Sequence, residues 1–185
     1  MEKTAGVNST NQQYDQAVRS CKDIFIMKTR DYGTSWRVLR TISIADQLYI
    51  KARRIRTLQQ TDQQKIGEDK AGEFEAMVNY GVIGLIQLSL GADAPEDLPP
   101  AEAERQYTAK IQQARSTMLD KNHDYGEAWR EMRISSLTDL ILMKLLRVKQ
   151  IEDNQGLTLA SEGIKANYQD ILNYSVFALI KLGVK

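Results

Sequence analysis

Cysteine, histidine and proline are nearly missing from this chain: its 185 residues hold one Cys, one His and three Pro. The single Cys21 excludes an intrachain disulfide and a cysteine-rich zinc site, and it fits a reducing, cytoplasmic setting. The lone His123 reads as a surface residue beside a turn, and no Ser/His/Asp constellation, P-loop or dinucleotide glycine fingerprint occurs. An excess of one charge is missing too. With 25 Lys and Arg against 24 Asp and Glu, the formal net charge is +1, which argues against a chain that coats nucleic acid. Long hydrophobic runs are absent: the most apolar stretches, Met77–Leu90 and Ile171–Val184, are interrupted by Asn79, Gln87, Asn173 and Lys181, too polar and short for a membrane partner. The first residues lack the apolar core of a signal peptide. Aromatics make up only 7% and charged residues 26%, a balance that favours helices over sheets.

What the chain does contain is itself, twice. Asp31 and Asp124 stand 93 residues apart, and at that offset Lys28, Tyr32, Gly33, Trp36, Arg37 and Arg40 meet Lys121, Tyr125, Gly126, Trp129, Arg130 and Arg133. Both tryptophans therefore pair with each other. Tyr14/Tyr107, Ser43/Ser136, Asp46/Asp139, Lys51/Lys144 and Arg54/Arg147 continue the match. One inserted residue later, Glu68/Glu162, Asn79/Asn173, Tyr80/Tyr174 and Leu85/Leu179 coincide. Such self-similarity over the chain is the mark of a duplicated unit.

Each unit reads as three helices with apolar stripes at i, i+3 and i+4. The first runs over 13–29 and 104–121 and ends at Asp-Tyr-Gly, where glycine closes the helix. The second spans 42–59 and 136–152; the third, most apolar, spans 71–90 and 164–182. Residues 1–12 read as a disordered tail, 13–91 as the first repeat, 92–103 as a linker near the prolines, and 104–185 as the second repeat. Units this small bury little surface alone. The expected fold is all-α: a six-helix bundle of two three-helix repeats packed through their third helices about a pseudo-twofold axis.

Three groups of side chains carry candidate chemistry. In Lys-x-x-Asp-Tyr-Gly-x-x-Trp-Arg, the arginines Arg37 and Arg130 offer forks for phosphate, and Trp36, Trp129, Tyr32 or Tyr125 can stack on a base; the structural alternative is a turn with packed aromatics. In the second helix Lys51 and Lys144 occupy an otherwise apolar stripe, with Arg54 and Arg147 three residues on. A cation there needs a counter-ion, whether an internal acid such as Glu68 or Glu162 or a ligand phosphate. In the second copy Glu162, Asp170 and Asn173 form a polar line that can supply oxygen ligands to Mg²⁺. The first copy has Ala76 at the place of Asp170, with Glu73 and Glu75 near, so ligand or metal binding is expected to favour the second copy. Asp46 and Asp139 are read as helix caps or additional acids.

These residues resemble the family called nucleotide-modification-associated domain, type one. The resemblance rests on Lys121, Asp124, Tyr125, Gly126, Lys144, Arg147, Glu162, Asp170, Asn173 and Tyr174, and in the first copy on Lys28, Asp31, Tyr32, Gly33, Lys51, Arg54, Glu68, Asn79 and Tyr80. Gly72, Ala166 and Ala76 depart from its acidic pattern. The resemblance implies a role in modified-nucleotide metabolism and a helical plan like that of the all-α nucleoside triphosphate pyrophosphohydrolases, whose paired acidic motifs are missing here. The leading expectation is a nucleotide-binding protein with phosphates at Lys144, Arg147 and Arg130 and a base near Trp129 or Tyr125. If it is an enzyme, the reaction is Mg²⁺-dependent nucleotide phosphohydrolysis with Glu162 and Asp170 as ligands. The alternatives are a non-catalytic helical scaffold or interaction protein and, less favoured by charge, a DNA-binding module; homo-oligomerisation is left open.

Overall fold

The apolar stripes close into helices α1 (Glu2–Tyr32), α2 (Thr41–Thr61), α3 (Lys70–Leu90), α4 (Pro100–Tyr125), α5 (Ile134–Asp153) and α6 (Ile164–Leu182). There is no strand among the described residues. The structure is a computed structural model; it describes residues 2–61, 70–91, 93–160 and 162–183, with side chains from residue 9 onward. Glu68 lies outside the described residues. Among the described residues no helix is long and apolar enough to cross a membrane.

The expected glycine stop is present in both copies. Gly33 and Gly126 adopt φ of 67° and 62°, and their N–H groups bond the carbonyls of Thr29 and Asn122 at 2.9 Å. A left-handed residue there costs glycine nothing and ends the helix. Short 3₁₀ turns, Ser35–Val38 and Ala128–Arg130, then carry each Trp-Arg pair toward the next helix.

Two boundaries differ from the sequence-based expectation. The segment read as a tail is helical from Glu2, because α1 extends back past Gln13. Thr10 there is buried, donating to Glu127 and accepting from Arg130 of the second copy. Its docking is polar, so no apolar stripe announced it. Second, α4 starts at Pro100, where proline's missing N–H suits a first helical turn, which shortens the linker.

One continuous core joins both copies. The third helices cross at its centre, where the Tyr168 ring lies so close to Gly84 that a Cβ there would stand 2.4 Å from Cε1. Reciprocal contacts show the twofold relation. Asp46 pairs with Lys149 at 2.7 Å and Asp139 with Arg56 at 3.8 Å, each bond crossing between copies. Both aspartates sit inside their helices, which corrects their reading as caps.

Candidate functional site

Each copy builds one pocket from the same parts: the last turn of its first helix, the Trp turn, the lysine of its second helix and the start of its third. The first-copy cavity, about 500 Å³, is lined by Lys28, Tyr32, Trp36, Lys51, Glu73, Glu75, Asn79 and Tyr80, among others. The second, about 350 Å³, is lined by Lys121, Asn122, Tyr125, Trp129, Lys144, Glu162, Asp170, Asn173, Tyr174 and Phe177, among others. The equivalent positions 28/121, 32/125, 36/129, 51/144, 79/173 and 80/174 thus meet in equivalent places.

In the second copy the lysine on the apolar stripe has its counter-ion inside the protein. Lys144 is only 8% exposed, and its ammonium lies 2.7 Å from Asp170 Oδ2. Lys121 takes the other oxygen, donating to Asp170 Oδ1 at 2.5 Å. Burial lowers the Lys121 pKa, but the bond and charge of Asp170, with the charge of Glu162, outweigh it and leave the ammonium above its ordinary value. Tyr174 beside them is raised, by burial first and then by Asp170, so its phenol stays protonated. Glu162 is exposed at the rim.

The first copy reaches a related end by another residue. Lys51 Nζ lies 3.5 Å from Glu73 Oε2, and Arg54 donates to Glu73 Oε1. Glu73 is buried one helical turn before Ala76, and its longer side chain spans that turn. Sequence alignment missed this exchange because it compares columns, whereas a helix lets i−3 serve the same spot. Glu75 accepts from Ser20 at 2.5 Å. Lys28 is exposed and makes no hydrogen bond or ion pair among the described residues.

Trp36 and Trp129 are both buried, and both indole Nε1 groups lack a hydrogen-bond partner. Their faces differ. Phe177 stacks on Trp129 with centroids 4.2 Å apart and planes 3° apart, while the Arg130 guanidinium lies 4.4 Å from that ring. Two groups so close to one ring must take opposite faces, so Trp129 has only an edge to offer. Trp36 has Phe25 at 6.4 Å, tilted by 43°.

Several sequence candidates stand apart from the pockets. Arg37 is buried and spent on the linker, donating to Pro95 O at 3.0 Å, Gly91 O at 3.1 Å and Ala94 O at 2.9 Å, and to Gln87. Arg130 bonds Glu127 at 2.8 Å and Gln13 at 2.9 Å in addition to Thr10. Neither lines its pocket. Arg147 is exposed beside Leu146 and Gln150 and does not line the pocket, although its charge reaches Tyr174. Asp31 and Asp124 are exposed, and His123 contacts Asp124 at 3.2 Å in open solvent. Asn173 lines the pocket, but its amide is committed: Oδ1 accepts from Tyr14 at 2.8 Å and Nδ2 donates to Ala114 O at 2.9 Å.

A magnesium ion between Glu162 and Asp170 fits this arrangement poorly. Mg²⁺ demands open, charged oxygen donors, and both Asp170 oxygens are held by ammonium groups. Among the described residues no three His, Cys, Asp or Glu side chains cluster where they could hold a metal ion by themselves.

Fold and site together define a tandem-repeat, all-helical protein in which each repeat carries a lysine-and-aromatic pocket. The sequence profile of the family described as nucleotide modification associated domain 1 matches residues 28–88 and again 121–182. The chain belongs to that family, as two tandem copies. It matches no curated protein and no solved structure.

Proposed function

We infer that this protein binds nucleotides in the pocket formed by its Lys-x-x-Asp-Tyr-Gly-x-x-Trp-Arg unit, as part of modified-nucleotide metabolism. One observation carries the reading: lysines, tyrosines and a tryptophan converge on one cavity in each copy. Lysine supplies the point charge that meets a phosphate. Tyrosines at the rim, Tyr32 57% and Tyr125 75% exposed, offer rings against which a base stacks. Cavities of about 350 and 500 Å³ suit a small-molecule ligand. The family's description, nucleotide modification associated, points the same way.

Phosphate contacts are assigned to the lysines, whereas Arg37 and Arg130 are left out because their guanidinium groups are already bonded within the protein. No hydrolytic step is assigned to Glu162 or Asp170, since the acid that would hold the metal is neutralised in place. The test is a thermal-denaturation screen of ribo- and deoxyribonucleoside mono-, di- and triphosphates, with and without Mg²⁺. A ligand that binds only the native state raises the midpoint by mass action. A nucleotide-specific rise that inorganic triphosphate does not reproduce supports the reading. No rise with any nucleotide favours a non-catalytic scaffold instead.

A further inference from the structure

The two pockets share a plan but not a state, and the difference lies in three independent features. The first is the clamp: in the second copy Asp170 holds both pocket lysines, whereas Ala76 stands at that place in the first, and Lys28 has no partner among the described residues. The second is the ring. Trp129 is covered by Phe177 and Arg130, while Ile83 replaces Phe177 beside Trp36 and Arg37 has turned away to the linker carbonyls. The third is space, about 500 Å³ against about 350 Å³. Filling the second pocket with a phosphate would require breaking two short ion pairs around an aspartate only 3% exposed, which leaves that carboxylate beside the incoming anion. The first pocket requires no such exchange at Lys28.

We propose that the first-copy pocket is the working site and the second a self-satisfied structural copy: the first takes one phosphorylated aromatic ligand, its ring against Trp36 and its phosphate at Lys28. This rests on the nucleotide reading above. Asp170 acts in the second copy as a built-in anion on Lys121, the counterpart of the Lys28 that a ligand phosphate occupies in the first. Glu73 is already shared by Lys51 and Arg54 and makes no ion pair with Lys28.

Because each pocket holds one of the two tryptophans, fluorescence reads the pockets separately. Trp129→Phe leaves Trp36 as reporter and Trp36→Phe leaves Trp129. Titrated with a panel of nucleoside 5′-monophosphates, and with inorganic phosphate as control, the Trp36 reporter changes saturably and the Trp129 reporter does not. Lys28→Met weakens binding about tenfold or more, the scale of a lost hydrogen bond to a charged group, and far more than Lys121→Met does. Ala76→Asp, which moves the clamp into the first pocket, removes the response. A response at Trp129 alone, or equal responses and equal losses in the two copies, overturns the inference and leaves the nucleotide reading intact. No fluorescence response with no thermal shift in the parent protein overturns both. Should a tryptophan variant fail to fold, the Lys28→Met and Lys121→Met comparison by calorimetry in the parent background decides, because Lys28 takes no part in the core.

Discussion

Tyr14 donates its hydroxyl to Asn173 Oδ1 at 2.8 Å, joining the first helix of one copy to the last helix of the other across 159 residues of chain. Tyr107 does the same to Asn79, also at 2.8 Å. Each asparagine returns its Nδ2 to a carbonyl of its own copy, Cys21 for Asn79 and Ala114 for Asn173, at 3.0 and 2.9 Å. The motif asparagine is thereby the joint between repeats. Both tyrosines are fully buried, and burial raises their pKa so that the hydroxyls remain donors.

Replacing either tyrosine by phenylalanine strands a buried asparagine oxygen. Tyr14→Phe and Tyr107→Phe are each expected to cost about 1–3 kcal/mol, by similar amounts because the sites are equivalent. Urea denaturation should show one cooperative transition for both variants. A large loss at one site and none at the other would mean that the joint is not symmetric.

Removing Asp170 strands a buried cation. The variant Asp170→Ala leaves Lys144 without its counter-ion, and breaking a buried pair from one side costs about 3–5 kcal/mol. The double variant Lys144→Met/Asp170→Leu removes both charges and should recover most of that loss. With two lysines leaning on one carboxylate, Asp170→Asn is likewise expected to destabilise the protein, checked by the unfolding midpoint in urea.

Glycine at the helix crossing is a packing requirement at one position and incidental at another. Gly84→Ala would drive a methyl into the Tyr168 ring and should cost about 1–3 kcal/mol through overpacking. Nothing lies within 4 Å of a Cβ at Gly72, so Gly72→Ala is expected to be neutral or to stabilise by up to about 1 kcal/mol. Thermal melts of the two variants should move in opposite directions or differ clearly in size.

Glu152 gives the fold a pH dependence of unusual sign for a carboxyl. Burial raises its pKa, and Asp153 and Asp46 add to the rise while Thr41 opposes it. A group with a raised folded-state pKa gives its full stabilisation below its unfolded value and loses it as pH rises through the folded one. Glu152→Gln, which copies the Gln59 of the first repeat, should therefore raise the melting temperature at pH 7. That gain should shrink toward zero as pH falls below the ordinary carboxyl range. An advantage independent of pH would show that charge is not its cause.

Much of the architecture was legible because it depends on local pattern. Helical periodicity in α2, α3, α5 and α6 reports which face is buried, and the duplicated Trp, Tyr-Gly and Asn-Tyr positions report the twofold plan before any contact is known. Lys144 was also legible, as a cation on a stripe that must be paired. The site was less so. Arg37 and Arg130 share a motif position, yet one is spent on linker carbonyls and the other stacks on its own tryptophan; sequence alone treats them as equal.

The sequence by itself determined that the chain is helical, doubled and equipped twice with lysine beside aromatics, since those properties follow from spacing along one strand of covalent chain. Only the tertiary structure decided what each charge faces. Burial and distance, not residue type, separate Lys28, unpaired among the described residues, from a Lys121 held by Asp170. They also let Glu73 stand in from the preceding turn for the acid that Ala76 lacks. The energy of a charge depends on partners brought near by folding and on the water they displace. For that reason the copy that better keeps the acidic pattern is also the one whose lysines are already taken.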